Sequence, residues 1–447
     1  MHFGKRDCGG RQHRFREIGF RPLGSKARKQ YRYGLTGPTE AQQGENKLLI
    51  LKTNRALARR EFLRFAGLGA LGLTLSEVSF ARGLGVKPTG ELLVYVGTYT
   101  TGKSDGIYLC RLNLASGELK HINTTKGVVN PSFLALSPSR RYLYAVNEVQ
   151  EFAGKKSGAV SAFAVDQRTG ELRLLNQKAS LGADPCYVEV DNQGRFVLIA
   201  NYTGGNVTVL PVERGGGLGE AVDRKQYQGQ SVNRDRQEGP HAHCIMLDPT
   251  NGFAYSCDLG TDRIMIFRFD ARNGTLQPNE QPWVPVKPGA GPRHLAFHPS
   301  GKYVFVLNEL YSTVTVFRRD PEKGSLKELQ SETTLPKDFA GKNTSADVHV
   351  SSDGQFVYCS NRGNDSIAMF GFDPRRGTLT AIGHESTRGM TPRNFAIDPT
   401  GQFLLAANQN SDNIVVFRVD RKTGRLSATG QTEVPSPVCL KFTAPFS

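Results

Sequence analysis

Residues 293–326 read RHLAFHPSGKYVFVLNELYSTVTVFRRDPEKGSL, and this stretch decides the fold. It contains three short apolar runs rich in β-branched and aromatic residues, which predict three consecutive strands. Pro299-Ser-Gly301 separates the first two runs as a tight turn. After the third run, Val314-Thr-Val-Phe317, comes Gly324-Ser-Leu326, whose glycine can supply the positive φ angle of a further hairpin.

The same arrangement recurs along the chain from residue 90 onward. Seven copies of the Gly-x-Leu phrase follow one another at intervals of about fifty residues, with glycines at Gly117, Gly170, Gly216, Gly274, Gly324, Gly377 and Gly424. The segment after each phrase adds a strand, so that each unit has four. Seven four-stranded units of this length predict an all-β fold, a seven-bladed β-propeller.

The two ends of the repeat region indicate how the ring closes. The first unit begins directly with its second strand, Leu92–Val96, and lacks the inner one. The C-terminal segment Pro437–Phe442 has the pattern of the missing inner strand. We therefore expect the C-terminal strand to complete the first blade and leave no open sheet edge.

The net charge of +16 invites a nucleic-acid or membrane function, but its distribution argues against both. Residues 1–81 hold 16 basic and 6 acidic side chains, whereas residues 82–447 hold 41 and 35. The excess is therefore concentrated ahead of the repeats, and we predict no nucleic-acid partner. No apolar run approaches the roughly 18 residues of a membrane span, which excludes a polytopic membrane protein.

The chain is predicted to have three parts, 1–54, 55–81 and 82–447. Residues 55–81 combine a basic segment, an uncharged stretch and small residues at Ser79 and Ala81, as a secretory signal does. The pair Arg59-Arg60 resembles a twin-arginine signal, which implies the twin-arginine export machinery as a partner. We expect a periplasmic or secreted protein without stable membrane association after cleavage. A cytoplasmic location is the alternative.

The segment ahead of this signal, residues 1–54, is basic and rich in Gln, Gly and Arg, without sustained periodicity. That composition predicts a disordered extension. One hypothesis for it is a start codon assigned too far upstream. The propeller itself would occupy residues 82–447.

Several kinds of site lack support in the sequence. None of the seven cysteines forms C-x-x-C, so zinc ribbons, dithiol redox motifs and haem attachment are not indicated. Neither a phosphate-binding G-x-x-x-x-G-K-[ST] motif nor a nucleophile elbow G-x-S-x-G occurs. We predict no cofactor and no metal, although His241 and His243 share a strand face and a metal there is the alternative.

Ionisable residues are concentrated where four blades would meet one mouth of the channel. In a propeller the starts of inner strands and the ends of second strands share that mouth. Blades four to seven place the following residues there: His241, His243, Arg293, Glu309, His349, Arg362 and Arg393. The sequence therefore predicts an active site between these blades.

The strings Gly239-Pro-His-Ala-His243, Gly289-Ala-Gly-Pro-Arg-His294, Val306-Leu-Asn-Glu309 and Ser360-Asn-Arg362 resemble the lactonase family of seven-bladed propellers. That family includes propeller-type 6-phosphogluconolactonase and carboxy-cis,cis-muconate cyclase. The resemblance spans about residues 92–442. It implies a lactone hydrolase, and by local register the catalytic residues would be His243, Arg293, Glu309 and Arg362. We expect His241, His349 and Arg393 to contact the substrate.

Lactone hydrolysis needs a base for water, a cation or donor for the oxyanion, and an acid for the leaving alkoxide. His243 can act as base. Glu309 would orient His243, or exchange the proton itself if its pKa is raised, or simply neutralise an arginine. Arg293 and Arg362 suit the oxyanion, a carboxylate or a phosphate.

The sequence is compatible with three functions. The family resemblance implies hydrolysis of 6-phosphogluconolactone, a small-molecule lactone substrate. The export signal favours instead a lactonase for an unphosphorylated aldono- or muconate-type lactone. A non-catalytic binding propeller is the third reading, because a fold does not determine a function.

Overall fold

The structure, a computed structural model, describes residues 90–444. The predictions for the extension 1–54 and the export signal 55–81 lie outside these residues. Within residues 90–444 no helix is long and apolar enough to cross a membrane. The described region is almost entirely β-structure, with a short 3₁₀ helix at Gln409–Ser411.

Seven four-stranded antiparallel sheets form the blades. In chain order, the strands of the first three blades and of a small hairpin are β1 Glu91–Thr98, β2 Gly106–Asn113, β3 Leu119–Lys126, β4 Leu134–Leu136, β5 Tyr142–Asn147, β6 Glu151–Phe152, β7 Lys155–Lys156, β8 Ala159–Val165, β9 Leu172–Ala179, β10 Pro185–Val190, β11 Phe196–Asn201, β12 Asn206–Pro211 and β13 Asp223–Gln226.

The strands of blades four to seven, with the closing strand, are β14 Ala242–Leu247, β15 Phe253–Asp258, β16 Arg263–Asp270, β17 Thr275–Pro285, β18 Pro292–Phe297, β19 Tyr303–Asn308, β20 Thr313–Arg319, β21 Leu326–Thr333, β22 Thr344–Val350, β23 Phe356–Arg362, β24 Ser366–Asp373, β25 Thr378–Ser386, β26 Pro392–Ile397, β27 Phe403–Asn408, β28 Asn413–Val419, β29 Leu426–Glu433 and β30 Pro437–Thr443. The predicted seven-bladed propeller is confirmed.

The ring closes as the sequence predicts. Blade one has the strand order β3-β2-β1-β30, so its inner strand comes from the C-terminus. Strand β30 pairs antiparallel with β1, with Val94 opposite Phe442 and Val96 opposite Leu440. The side chains of Val438, Cys439 and Leu440 are buried. The pairing leaves no unpaired inner edge at the junction of the first and last blades.

The recurring glycines pack blades against each other. All seven have positive φ angles, as the Gly-x-Leu pattern predicts. A Cβ atom on Gly324 would lie 2.3 Å from the Phe253 ring of the preceding blade, and one on Gly424 would lie 2.4 Å from Phe356. The glycine therefore serves both the turn and the blade-to-blade contact, and a side chain would disturb both. At Gly117 of blade one the contacting ring is Phe403 of blade seven, so this contact also crosses the closure.

A chain that ends at residue 435, and so lacks β30, should unfold well below the melting temperature of the intact protein. Three buried side chains are lost, each contributing roughly 1.5–3 kcal/mol if apolar, together with a whole ladder of backbone hydrogen bonds. Thermal unfolding followed by circular dichroism measures the effect. A chain that ends at Ala444 keeps β30 and is the matched control; equal melting temperatures for the two would contradict the proposed dependence on closure.

Candidate active site

Irregularities in the inner strands aim the polar side chains at the channel. The register between inner and second strand shifts by one residue at the start of blades three, four, five and seven. The residues skipped by these shifts are Cys186, His243, Arg293 and Arg393. A bulge of this kind turns a side chain out of the regular alternation. The local backbone therefore explains why these four residues lie together at one mouth.

A cavity of about 350 Å³ lies at that mouth. Its walls are formed by Tyr99, Glu148, Cys186, Tyr202, Arg236, His243, Glu309, Thr344, Arg362 and Arg393. The structure thus brings together four of the predicted site residues, namely His243, Glu309, Arg362 and Arg393. Arg293 is buried behind Glu309 and does not itself line the cavity.

Glu309 is the centre of an ion cluster. Its Oε1 accepts a hydrogen bond from Arg236 at 2.6 Å. Its Oε2 forms ion pairs with Arg293 Nε and Arg362 Nη2, both at 3.0 Å. Burial favours the neutral carboxyl, but Arg362, Arg293 and Arg236 outweigh it and lower the pKa of Glu309 to about 2. Glu309 is therefore a permanent anion near neutral pH.

This geometry narrows the roles that the sequence left open for Glu309. The pKa of Glu309 is lowered, which removes the condition for its exchanging a proton at neutral pH. The polar contacts of its carboxylate are three arginines, and His243 is not among them. What the structure provides is an anion that holds three guanidinium groups in fixed positions.

A buried chain of hydrogen bonds supports Arg293 from behind. Its Nη1 donates to the Ala346 carbonyl and lies 3.2 Å from His294 Nε2. His294 Nδ1 lies 2.8 Å from Asp347 Oδ1. Burial and Arg293 lower the pKa of His294 to about 4, so the imidazole is neutral. With its single proton on Nδ1, directed at Asp347, Nε2 is free to accept from Arg293.

His243 is a neutral imidazole in the cavity wall. Burial, followed by Arg293 and His294, holds the pKa of His243 well below its usual value. Its Nδ1 lies 3.6 Å from the sulfur of Cys186, and the ring packs edge-on against Tyr202 and His294. A neutral imidazole near neutral pH has a lone pair with which to take a proton.

The opposite wall of the cavity has a second carboxylate. The Tyr99 hydroxyl donates to Glu148 and lies 2.9 Å from both carboxylate oxygens. The Ser132 hydroxyl donates to the same group. Arg393 Nη2 lies 4.0 Å from Glu148 Oε1, and its guanidinium is placed over the Tyr99 ring at 5.3 Å.

Two predicted substrate contacts lie outside the cavity wall. His241 stacks on Tyr202 with ring centroids 4.4 Å apart, and its Nε2 lies 3.0 Å from Glu238. His349 lies 3.0 Å from Asp347 Oδ2 and packs edge-on against Phe395. His241 therefore packs against Tyr202 from outside the cavity, whereas His349, with a side chain that is 36% exposed, contacts Asp347 in a buried layer of side chains below the site.

That layer closes the channel. In five blades, the residue directly after the mouth position of the inner strand has a buried side chain, and these five side chains contact one another. They are Phe133, Tyr187, His294, Asp347 and Asn394. Phe133 stacks on Tyr187 at 4.3 Å and reaches His294 at 5.8 Å from across the channel. Asp347 joins His294 to Asn394, whose Oδ1 accepts from Leu440 N of the closing strand at 2.7 Å.

Sequence reasoning did not select several residues of the cavity wall. Arg236, in the loop between β13 and β14, and Glu148, directly after β5, stand at positions that the propeller brings to this mouth. Tyr99 follows β1 in the same way, and that position was the signal by which it could have been found. Cys186 is buried and lines the cavity because of its bulge.

The fold and site together define a seven-bladed β-propeller with an arginine-rich pocket at one channel mouth. The sequence profile of the family described as "Lactonase, 7-bladed beta-propeller" matches residues 93–442. The chain therefore belongs to the lactonase family of seven-bladed propellers. This membership confirms the resemblance noted in the sequence and the prediction of an enzyme of the lactone-hydrolase class.

Similar proteins cover nearly the whole propeller. A Bacillus subtilis protein named 6-phosphogluconolactonase is 38% identical over 349 residues, covering 78% of this chain and 97% of that protein. One of the same name from Formosa agariphila is 37% identical over 313 residues, covering 69% and 86%. Among solved structures, the periplasmic gluconolactonase of Pseudomonas aeruginosa is 34% identical with a TM-score of 0.75, covering 80% of this chain and 100% of that one.

Replacing Glu309 by Gln should lower the free energy of unfolding at pH 7 by about 3 kcal/mol or more, because three arginines lose a buried counter-charge. In the wild type this contribution is present above pH 4.5, the usual pKa, and is lost as the pH falls towards 2. Chemical denaturation between pH 7 and 2.5 measures both effects. Glu322→Gln, at an exposed position, is the control; a Glu309→Gln profile parallel to wild type would contradict the ion cluster.

Proposed function

We propose that this protein hydrolyses 6-phospho-D-glucono-1,5-lactone to 6-phosphogluconate without a metal ion. The observation that carries the proposal is the charge of the cavity. Four guanidinium groups, those of Arg236, Arg293, Arg362 and Arg393, surround two carboxylates, those of Glu148 and Glu309. The site therefore has an excess of positive charge. A substrate with a phosphate group, and a product that gains a carboxylate, match that excess.

The neutral imidazole of His243 is the proposed base. It takes a proton from water as the water oxygen attacks the lactone carbonyl. Arg362 is the proposed partner of the developing oxyanion, because it lines the cavity while Glu309 holds its Nη2 in a fixed position. Arg293 does not line the cavity; it holds the Glu309 carboxylate in position.

The proposed catalytic residues thus have two kinds of role, either to reach the substrate or to position another residue. They are His243, Arg293, Glu309 and Arg362. His243 and Arg362 face the cavity and can reach a substrate. Glu309 lines the cavity, but its oxygens are occupied by arginines, so that it positions Arg362 and Arg236. Arg393, at the far side, is the proposed partner of the phosphate, with His241 and His349 as more remote supports.

Hydrolysis of an unphosphorylated lactone is the second candidate. The twin-arginine-like signal at Arg59-Arg60 favours it, because a phosphorylated sugar acid is a cytoplasmic metabolite. The name of the Pseudomonas aeruginosa relative, a periplasmic gluconolactonase, supports the same location and a related substrate. In this case the surplus charge would receive the product carboxylate.

Purified propeller should hydrolyse the phosphorylated lactone with a lower KM than δ-gluconolactone, and salt should raise only the former KM, because it screens the attraction of an anion. His243→Ala should lower kcat by about 10²–10⁴-fold and Arg362→Ala by about 10²–10³-fold. Acid release in a pH-stat measures the rates.

His121→Ala, at an exposed histidine of blade one, is the matched control and should keep full activity. Addition of a chelator should leave the rate unchanged. Within residues 90–444 no group of three His, Cys, Asp or Glu side chains is placed to hold a metal ion. Loss of activity with chelator would overturn the metal-free proposal, and no turnover of either lactone would favour a binding propeller.

The export proposal has its own test. Full-length protein expressed in a bacterium with a twin-arginine translocase should be found in the periplasm, cleaved after Ala81. Changing Arg59 and Arg60 to Lys should keep it in the cytoplasm. Fractionation and mass spectrometry of the mature N-terminus provide the measurement, and a mature chain that begins before Arg55 would contradict the proposal.

A further inference from the structure

Opening a lactone requires two proton transfers, one from water and one to the departing ring oxygen. His243 provides for the first. The second has no assigned group, and the cavity has two carboxylates that differ in their surroundings, Glu309 and Glu148.

Glu309 cannot change its charge without breaking up its surroundings. One oxygen is bonded to Arg236, and the other is shared by Arg293 and Arg362. Adding a proton would leave three buried or half-buried cations without their anion, which costs several kcal/mol. This carboxylate is therefore unsuited to giving a proton to substrate in each turnover.

Glu148 is held by two hydroxyl groups and has a single ion-pair partner. Tyr99 and Ser132 donate to it, and the nearest cation, Arg393, is at 4.0 Å, beyond hydrogen-bond distance. A hydroxyl can hydrogen-bond to a carboxylate or to a carboxyl group. Tyr99 and Ser132 can therefore stay hydrogen-bonded to Glu148 in either form of the side chain.

The position of Glu148 is fixed by the backbone and not by its charge. Its N–H donates to the Asn130 carbonyl at 3.1 Å, and the Asn130 side chain donates to the Glu148 carbonyl at 3.1 Å. The other groups near its carboxylate are the Cys186 thiol and the Tyr99 phenol, and burial raises the pKa of each, so that both stay neutral. Glu148 is thus a preorganised carboxyl group in the wall of the cavity.

We propose that Glu148 is the general acid that protonates the departing ring oxygen, and that Tyr99 is the positioning residue that holds its carboxyl group. The inference rests on the proposed lactone hydrolysis. The water oxygen bonds to the acyl carbon and one water proton moves to His243. The bond between acyl carbon and ring oxygen then breaks, its electron pair stays on the ring oxygen, and that oxygen takes the proton of Glu148.

Protons balance over the cycle. The ring-opened product leaves as a hydroxy acid, which loses its carboxyl proton to solvent. The imidazolium of His243 releases the proton it took, and Glu148 regains one from the water of the refilled cavity. No oxidant, reductant or further reactant is needed.

The test compares leaving groups in the variant Glu148→Gln. With δ-gluconolactone the leaving group is an alkoxide that needs an acid, and kcat should fall by about 100-fold or more. With dihydrocoumarin the leaving group is a phenol with a pKa of about 10, and the loss should be under about tenfold. Tyr99→Phe should reproduce the leaving-group dependence with a smaller loss, and Glu151→Gln, at an exposed nearby position, should behave as wild type.

The pH profile gives a second readout. An acid must be protonated to act, so wild-type kcat should show a limb that falls with rising pH, and Glu148→Gln should lack that limb. Equal losses on both lactones with an unchanged pH profile, or no loss at all, would overturn the role of Glu148 and leave lactone hydrolysis intact. If the wild type opens neither these lactones nor the 6-phosphate, lactone hydrolysis itself fails and the role of Glu148 fails with it.

Discussion

The pairing of β30 with β1 is the constraint on which the rest of the molecule depends. The cavity wall takes Tyr99 from the end of β1, Glu148 from blade two, Glu309 from blade five and Arg393 from blade seven. Tyr99 N donates to the Ser436 carbonyl just ahead of β30, at 3.2 Å. The closure of the ring therefore also fixes one wall of the site, and Asn394 ties the closing strand to the buried layer below it.

Within this frame the site separates fixed charge from exchangeable protons. Glu309 and its arginines form a set whose charge states do not change near neutral pH. The proposed proton carriers, His243 and Glu148, lie outside this set. Such a division allows a strong electrostatic field to persist while protons move, which is how a preorganised site lowers a barrier without rearranging at the moment of reaction.

The sequence predicted the fold almost completely, because a propeller repeats its signals. The glycine of each Gly-x-Leu phrase is required twice, by the hairpin and by the close approach of side chains from the preceding blade, and so it recurs in every unit. The sequence also placed His243, Arg293, Glu309 and Arg362 near one another. It could not show that Arg293 is buried behind Glu309, because that depends on a one-residue shift in pairing.

Other features of the site leave no periodic signal. Glu148 and Tyr99 meet because blades one and two are neighbours, and nothing local in either segment records the contact. The number of cations around Glu309 sets its pKa, and one of them, Arg236, comes from an irregular loop. The strand register predicts that His349 faces the channel, but it does not give the depth along the channel. In the structure His349 lies below the buried layer on which the mouth residues rest.

The buried layer of Phe133, Tyr187, His294, Asp347 and Asn394 has a kinetic consequence. The layer closes the channel below the cavity, so that the cavity opens only at the channel mouth. Substrate, water and product must use the same opening in turn. Because hydrolysis of a lactone creates a carboxylate, the product leaves against the attraction of the arginines in the cavity wall. Release can therefore set the pace of turnover, and accumulated product competes directly with the next substrate.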